Sequence, residues 1–168
     1  PMLLEKCGLD YPADTFSCNK VLVFNLGFDS KGDDKVNNWI YIPDKDVIFY
    51  RVGYYDNILG TDRMSLYVEI GFQENQTLEK EGLYLERVLD DLRRLGIVTT
   101  QHLVDYEAVL MDPAYVHINK KGNDALALYK AQLAAKDVYS IGRYGSWTYC
   151  SIEDNMLEAR MLAHKLGK

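Results

Sequence analysis

The sequence predicts an α+β fold, in which a mixed, mainly antiparallel sheet has helices packed on one face. Two observations predict it. Short segments rich in β-branched and aromatic residues follow one another through the first part of the chain, and segments with the apolar spacing of helices come after them. The chain has 168 residues, 48% of them hydrophobic and 26% charged, which suits one globular domain with at most a fragment of another.

Four predicted strands occupy the first part of the chain. Lys20–Phe28 is almost continuously apolar, which is typical of a central strand covered on both faces. Segments 38–42 and 47–52 flank the polar turn 43–46 and predict a hairpin. Residues 66–72 alternate between apolar and other side chains, as in a strand with one buried face. The short connections between these strands favour antiparallel pairing.

Two helices and two extended segments are predicted next. Thr77 is the predicted cap of the first helix, and Gly96 is its predicted terminator. Segments 105–110 and 114–118 have the composition of strands. Asn123 is the predicted cap of the second helix.

The C-terminal part has a different pattern: a short predicted strand at Val138–Ile141, a loop that contains Gly142 and Gly145, and a helix that begins at Ser151. Asp154, three residues after Ser151, completes a predicted capping box. A helix amino end carries unpaired N–H donors and a partial positive charge, so it favours an anion or an electron-rich oxygen. On spacing alone, however, an ordinary structural connection is the better explanation of this segment.

Composition and charge exclude several classes of protein. With 19 basic against 25 acidic residues the net charge is −6, and the sequence has no block of basic residues. Both observations argue against a protein that binds nucleic acid or contacts a membrane through a polybasic segment. Cys7, Cys18 and Cys150 form no CxxC pair and are expected to be reduced thiols in a cytoplasmic protein. The three histidines lack ligand spacing, so no metal site is expected. No signal peptide and no membrane span are expected.

Thirteen tyrosines are an unusual number for a chain of this length. Many of them lie in or beside apolar segments, where a phenol ring packs well and its hydroxyl needs one partner. The same side chains would suit a wall that holds a planar or sugar-like ligand. Both interpretations stay open, with packing favoured.

Residues 138–166 resemble the C-terminal FAD-binding segment of the flavin-containing amine oxidase superfamily, in particular the branch of protoporphyrinogen-oxidase-like proteins and UDP-galactopyranose mutases. In that segment an apolar strand precedes Gly-Arg, an aromatic stretch that ends in Tyr, and a capped helix. Here these elements are Gly142-Arg143, Trp147 with Tyr149, and Ser151. Segments in the hairpin and at 112–116 are similar to parts of the same proteins, so the resemblance extends over about residues 18 to 167.

The resemblance implies that Gly142, Arg143, Trp147, Ser151 and Ile152 bind FAD. Gly142 and Arg143 would lie against its ribityl and pyrophosphate region. The N–H groups that begin the Ser151 helix would face flavin N1 and the C2 carbonyl, where negative charge collects on reduction. Trp147 would border the flavin.

The resemblance also implies that Arg51 and Tyr149 bind the substrate, because they match an arginine and a tyrosine that approach the substrate diphosphate in the mutases. From its position alone, Arg51 fits a surface residue at a strand edge equally well. The mutases place an acidic residue soon after the tyrosine, where this chain has Ser151. No catalytic residue is predicted.

Proteins of this superfamily bind ADP through an N-terminal βαβ unit with a GxGxxG turn, and the sequence contains no such turn. We therefore expect residues 1–136 to be a substrate-binding-type domain and residues 137–168 to be the last strand, loop and helix of an FAD-binding domain. The start at Pro1 agrees with a piece cut from a longer protein.

The expected function is that of a fragment of an FAD-dependent oxidoreductase, with surface polysaccharide (LPS) biosynthesis as its setting. A UDP-galactopyranose-mutase-like isomerase that acts on a nucleotide sugar is one alternative. A non-catalytic module that binds a sugar or a protein is another. The fragment alone is expected to be inactive, to hold FAD weakly or not at all, and to self-associate through apolar surface.

Overall fold

The computed structural model describes residues 1–167 and divides into two compact units. The sheet unit comprises Lys20–Ala114, and the helical unit comprises Pro1–Asn19 with the chain from Tyr115 onward. The elements in chain order are α1 (Met2–Lys6), β1 (Asn19–Phe28), β2 (Trp39–Tyr41), β3 (Arg51–Tyr54), α2 (Tyr55–Leu59), β4 (Met64–Gln73), α3 (Glu81–Arg94), β5 (Leu103–Met111), α4 (Lys120–Ala134), α5 (Gly142–Gly145) and α6 (Ile152–Lys165).

The predicted α+β class is confirmed. The sheet has the order β2-β3-β4-β1-β5, and the pairs β2–β3, β3–β4 and β1–β5 are antiparallel. The predicted hairpin is present, although its second strand begins at Arg51 instead of Val47. The Ile48 N–H donates to Asp91 Oδ2 of α3 at 2.8 Å, so this backbone bonds to the helix instead of to β2.

One face of the sheet packs against α3 and forms the core of the sheet unit. Phe24 of β1, Val68 of β4 and Val88 of α3 are each fully buried in it. Burial alternates along β1, where Val23 and Asn25 are only half-buried. The expectation that β1 is covered on both faces is therefore wrong, since the second face of the sheet is more open.

The helix caps only partly follow the sequence prediction. Thr77 does not cap α3, which begins at Glu81 after Lys80 in the cap position, with no side-chain cap hydrogen bond. The Glu79 N–H, just before the helix, donates to the Tyr84 hydroxyl. Asn119 caps α4, by accepting from the Gly122 N–H at 2.7 Å, where Asn123 was expected to do so.

The helical unit has its own apolar cluster, in which Phe16, Leu133 and Trp147 are buried. The segment Val138–Ile141, predicted as a strand of an FAD-binding domain, pairs with no strand of the described chain. The Val138 N–H instead donates to the Leu133 carbonyl and closes the end of α4. The segment 114–118 forms a single bridge, between Cys18 and Val116.

The boundaries of these two compact units differ from the domain boundary expected at residue 136. That boundary refers to the domains of a larger enzyme, so it stays a prediction. None of the helices within residues 1–167 is both long and apolar enough to cross a membrane. Across the same residues, no group of three metal-ligating side chains is close enough to hold an ion.

Candidate functional site

The amino end of α6 has the predicted capping box. Ser151 Oγ accepts from the Asp154 N–H at 3.0 Å, and the Asp154 carboxylate accepts from the Ser151 N–H at 2.8 Å. The hydrogen bonds that the Ser151 N–H and the Ser151 hydroxyl donate to the Asp154 carboxylate lower the pKa of Asp154. The cap satisfies the third N–H group of the helix but not the first two. The N–H groups of Ile152 and Glu153 thus have no hydrogen-bond partner in the described part of the chain.

The Gly-Arg loop is fixed to α6 through its backbone. The Gly142 N–H donates to Glu158 Oε2 at 2.7 Å, and the Arg143 N–H donates to Asn155 Oδ1 at 2.9 Å. Asn155 in turn donates to the Ser151 carbonyl at 2.7 Å, so one amide side chain joins the loop to the helix cap. The two loop N–H groups are therefore used within the protein, and the Arg143 side chain is the part left for a ligand.

Gly142 is required by this arrangement. Its φ of +80° is a conformation that L side chains rarely adopt, and a Cβ there would lie 2.9 Å from Asn155 Oδ1. Partial burial works to raise the pKa of Glu158, but the hydrogen bonds from Gly142 and Ser146 and the charge of Lys130 outweigh it and lower that pKa. The loop is thus held by an ionised carboxylate.

The Arg143 guanidinium lies close to two aromatic rings. Its central carbon is 4.7 Å from the ring centre of Tyr149 and 5.2 Å from that of Tyr115. Among the described residues, no carboxylate pairs with Arg143. Tyr149 is 73% exposed and Ile152 is 77% exposed. This part of the helical unit therefore contains an arginine that pairs with no described carboxylate. It also contains two N–H groups without a described partner and exposed apolar side chains.

Trp147, unlike Tyr149, has a buried side chain. It is buried in the apolar cluster, with its ring centre 5.3 Å from that of Phe16. Its φ of +44° is rare for a non-glycine residue, and its buried Nε1 makes no hydrogen bond within residues 1–167. The structure thus brings together five of the predicted residues in the helical unit, namely Gly142, Arg143, Tyr149, Ser151 and Ile152. The Trp147 ring is buried in the apolar cluster of the same unit.

In the sheet unit, Arg51 has a different environment. It shares a row of the sheet with Tyr41 and Glu69, on the face opposite the core. Its Nη2 donates to Glu69 Oε1, and the Tyr50 hydroxyl donates to the other oxygen of the same buried carboxylate. The guanidinium also lies 5.8 Å from the Tyr41 ring centre and 5.7 Å from that of Tyr67.

A chain of contacts extends from Arg51 across the sheet. The Tyr67 ring lies directly over Gly53, where a Cβ would be 1.8 Å from the ring. The Tyr55 ring is 5.1 Å from that of Tyr67, and its hydroxyl donates to Asn25 Oδ1 at 3.0 Å. Burial raises the pKa of both Tyr55 and Tyr67. We call this surface the polar face, formed by Asn25, Tyr41, Arg51, Tyr55, Tyr67, Glu69 and Glu107.

An open groove of about 260 Å³ lies at one end of the polar face. Asn25, Gly27 and Tyr55 line one part of it, and Asp105 and Glu107 of β5 line another. Sequence reasoning found Arg51 but missed Glu69, Tyr67 and this groove. The alternation of residues 66–72 was the available signal, because it places a carboxylate and a phenol on the face away from the core.

Many solved structures share this fold, including the following two. UDP-galactopyranose mutase in its reduced form matches 92% of this chain with a TM-score of 0.75 and 20% sequence identity. A protein of Exiguobacterium sp. 255-15, provisionally assigned as a protoporphyrinogen oxidase, matches 99% of it with a TM-score of 0.75 and 13% identity. They are the two kinds of protein named by the sequence resemblance. At these identities the likeness shows the fold.

The chain spans 35% and 39% of the length of these two structures, respectively. No protein-family model matches the sequence, and no curated protein matches it.

Proposed function

We propose that this chain is part of an FAD-dependent oxidoreductase of the amine oxidase and protoporphyrinogen-oxidase-like superfamily. In this proposal residues 1–136 form a substrate-binding-type domain, and residues 137–168 contribute to an FAD-binding domain completed elsewhere in a longer protein. The shared fold supports it, together with the small share of each solved structure that the chain covers. The mutase likeness supports surface polysaccharide (LPS) biosynthesis as the setting. The cysteines, which form no disulfide among the described residues, support a cytoplasmic location.

The observation that carries the proposal is the combination found at the amino end of α6. The N–H groups of Ile152 and Glu153 have no partner in the described chain, and the nearby Arg143 pairs with no carboxylate there. Both features favour an electron-rich or anionic group. These residues therefore fit the flavin and phosphate groups of FAD, which the sequence resemblance implies.

Each residue would have a defined task. The Ile152 and Glu153 N–H groups would donate to electron-rich atoms placed before the helix, as donors do in an oxyanion hole. Arg143, which lies near the rings of Tyr149 and Tyr115, would stabilise phosphate charge. The bonds from Asn155 and Glu158 would keep the loop in position. When bound, FAD would supply the hydride chemistry, which no amino-acid side chain provides.

In this proposal Arg51 belongs to a substrate surface of the sheet unit and Tyr149 to one of the helical unit, whereas Trp147 and Ser151 belong to the FAD-binding residues that the resemblance implies. Tyr149 and two tyrosines of the polar face, Tyr41 and Tyr55, are exposed, which suits contact with a ligand. The exposed apolar side chains of Ile152 and Met156 would be covered in the complete protein. In the chain alone, they would favour self-association.

The proposal predicts a specific effect of Ile152→Pro in the complete protein. Proline is tolerated at the first position of a helix, where it removes one N–H group and leaves the helix intact. We expect the midpoint potential of the bound flavin to fall by an amount on the order of 30 mV, because the reduced anion loses a donor.

Ile152→Ala is the matched control, since it shortens the same side chain but keeps the N–H group. It should leave the potential unchanged. Equal potentials in the two variants would contradict the role of this amide, and a complete protein that stays colourless after incubation with FAD would favour the binding-module alternative.

A further inference from the structure

The charge of Arg51 is already balanced inside the protein. Its guanidinium is bonded to the buried carboxylate of Glu69, stacked near Tyr41 and Tyr67, and within 3.4 Å of the Tyr41 hydroxyl. The Glu69 side chain is only 6% exposed and also accepts from the Tyr50 hydroxyl. An anion that approached Arg51 would therefore meet the field of a carboxylate that water screens poorly.

The rest of the polar face adds negative charge. Glu107 lies opposite Asn25, and Asp105 lies opposite Gly27, in the register of β1 with β5, so both carboxylates stand at the groove. Among the described strand residues on this face, Glu69, Asp105 and Glu107 oppose the single cation Arg51. The exposed phenols of Tyr41 and Tyr55 provide ring faces and hydroxyl groups without charge.

We propose that Glu69 determines the ligand specificity of the polar face: by neutralising Arg51 it excludes a diphosphate and leaves a surface for a ligand that carries no negative charge. Hydroxyl-rich and amine-bearing ligands suit its tyrosine rings, its asparagine and its carboxylates. This inference rests on the proposed substrate-binding function of the sheet unit. It also weighs against a nucleotide sugar as the substrate, because such a ligand carries a diphosphate.

The test is titration of the full 168-residue chain with inorganic pyrophosphate, followed by calorimetry and by the NMR signals of the arginine side chains. All proteins carry Arg143→Gln, so that this arginine does not contribute. In that background Glu69→Gln keeps a polar side chain beside Arg51 and removes its charge. We expect pyrophosphate to bind at least about tenfold more tightly than without the Glu69 change, and to shift the Arg51 signal.

Glu107→Gln is the matched control, because it removes one negative charge from the same face without touching Arg51. It should change the affinity by no more than about twofold. An equal gain in Glu69→Gln and Glu107→Gln would overturn the proposal. So would saturable pyrophosphate binding without any change at Glu69, if that binding disappears with Arg51→Gln.

If the Glu69→Gln protein fails to fold, as judged by circular dichroism, the pyrophosphate titration of the Arg51→Gln protein tests the proposal instead. A pyrophosphate titration that this change leaves unaltered supports the proposal, and one that it abolishes overturns it. The measurement needs no FAD, so its failure would leave the flavin assignment standing. Conversely, if the complete protein bound no flavin, the result of the pyrophosphate titration would still be valid.

Discussion

Arg51 and Arg143 both lie against tyrosine rings, yet their electrostatic environments differ. Arg51, in the sheet unit, is bonded to the buried Glu69. Arg143, in the helical unit, has rings at 4.7 and 5.2 Å and no carboxylate partner among the described residues. The comparison shows that neighbouring residues decide whether an arginine is available to an anion. The charge of Arg51 is balanced by Glu69, whereas no described carboxylate balances the charge of Arg143.

The largest expected difference between the two regions concerns stability. Glu69→Ala leaves the enclosed Arg51 without its counter-ion and should lower the free energy of unfolding by about 3 kcal/mol. Arg143→Ala removes only ring contacts and should cost about 1 kcal/mol or less. Urea unfolding followed by circular dichroism measures both. Equal losses would show that the two arginines do not differ as described.

A smaller effect is expected at the glycine beneath Tyr67. Gly53→Ala places a Cβ 1.8 Å from the Tyr67 ring, which must leave its place between Arg51 and Tyr55. We expect a loss of about 2 kcal/mol in the free energy of unfolding. In the matched control Gly71→Ala, the Cβ would lie 3.6 Å from the Tyr50 ring, an ordinary contact. A loss there of the same size would contradict the specific role of Gly53.

The smallest expected effect is the acid sensitivity of the loop beside Arg143. The pKa of Glu158 in the folded chain lies below its ordinary 4.5. Ionised Glu158 therefore adds stability that is fully present above about pH 5 and is lost as the pH falls through the folded-state pKa. Glu158→Gln should flatten the decline in unfolding free energy between about pH 6 and pH 3. An identical decline in Glu158→Gln and in the unsubstituted protein would contradict the prediction.

The sequence predicts strands well where alternation and polar turns coincide, as in residues 66–72. Prediction from the sequence fails where several neighbouring residues could cap the same helix. Thr77 and Asn123 are both of a residue type that caps helices, but the cap positions of α3 and α4 are occupied by Lys80 and Asn119. The predicted strand at 138–141 had strand-like composition, but a strand also needs a neighbour, and the described chain provides none.

The candidate site shows the same limit. The Ser151 capping box could be predicted because its two residues are three positions apart. The pairing of Arg51 with Glu69 could not, because it depends on the register of β3 with β4, which no local pattern specifies. Asn155, which joins the loop to the cap, was missed although its position four residues after Ser151 places it on the same side of the helix.

The most direct test is an FAD titration of the complete protein, in which each arginine is removed in turn. Arg143→Gln should weaken FAD binding at least about tenfold, because a charge-assisted contact to phosphate is lost. The double variant Arg51→Gln/Glu69→Gln, which removes the buried pair without leaving a lone charge, should change the FAD affinity by no more than about twofold. Equal losses in the two proteins, or a complete protein that takes up no FAD, would contradict the assignment of Arg143 to the cofactor.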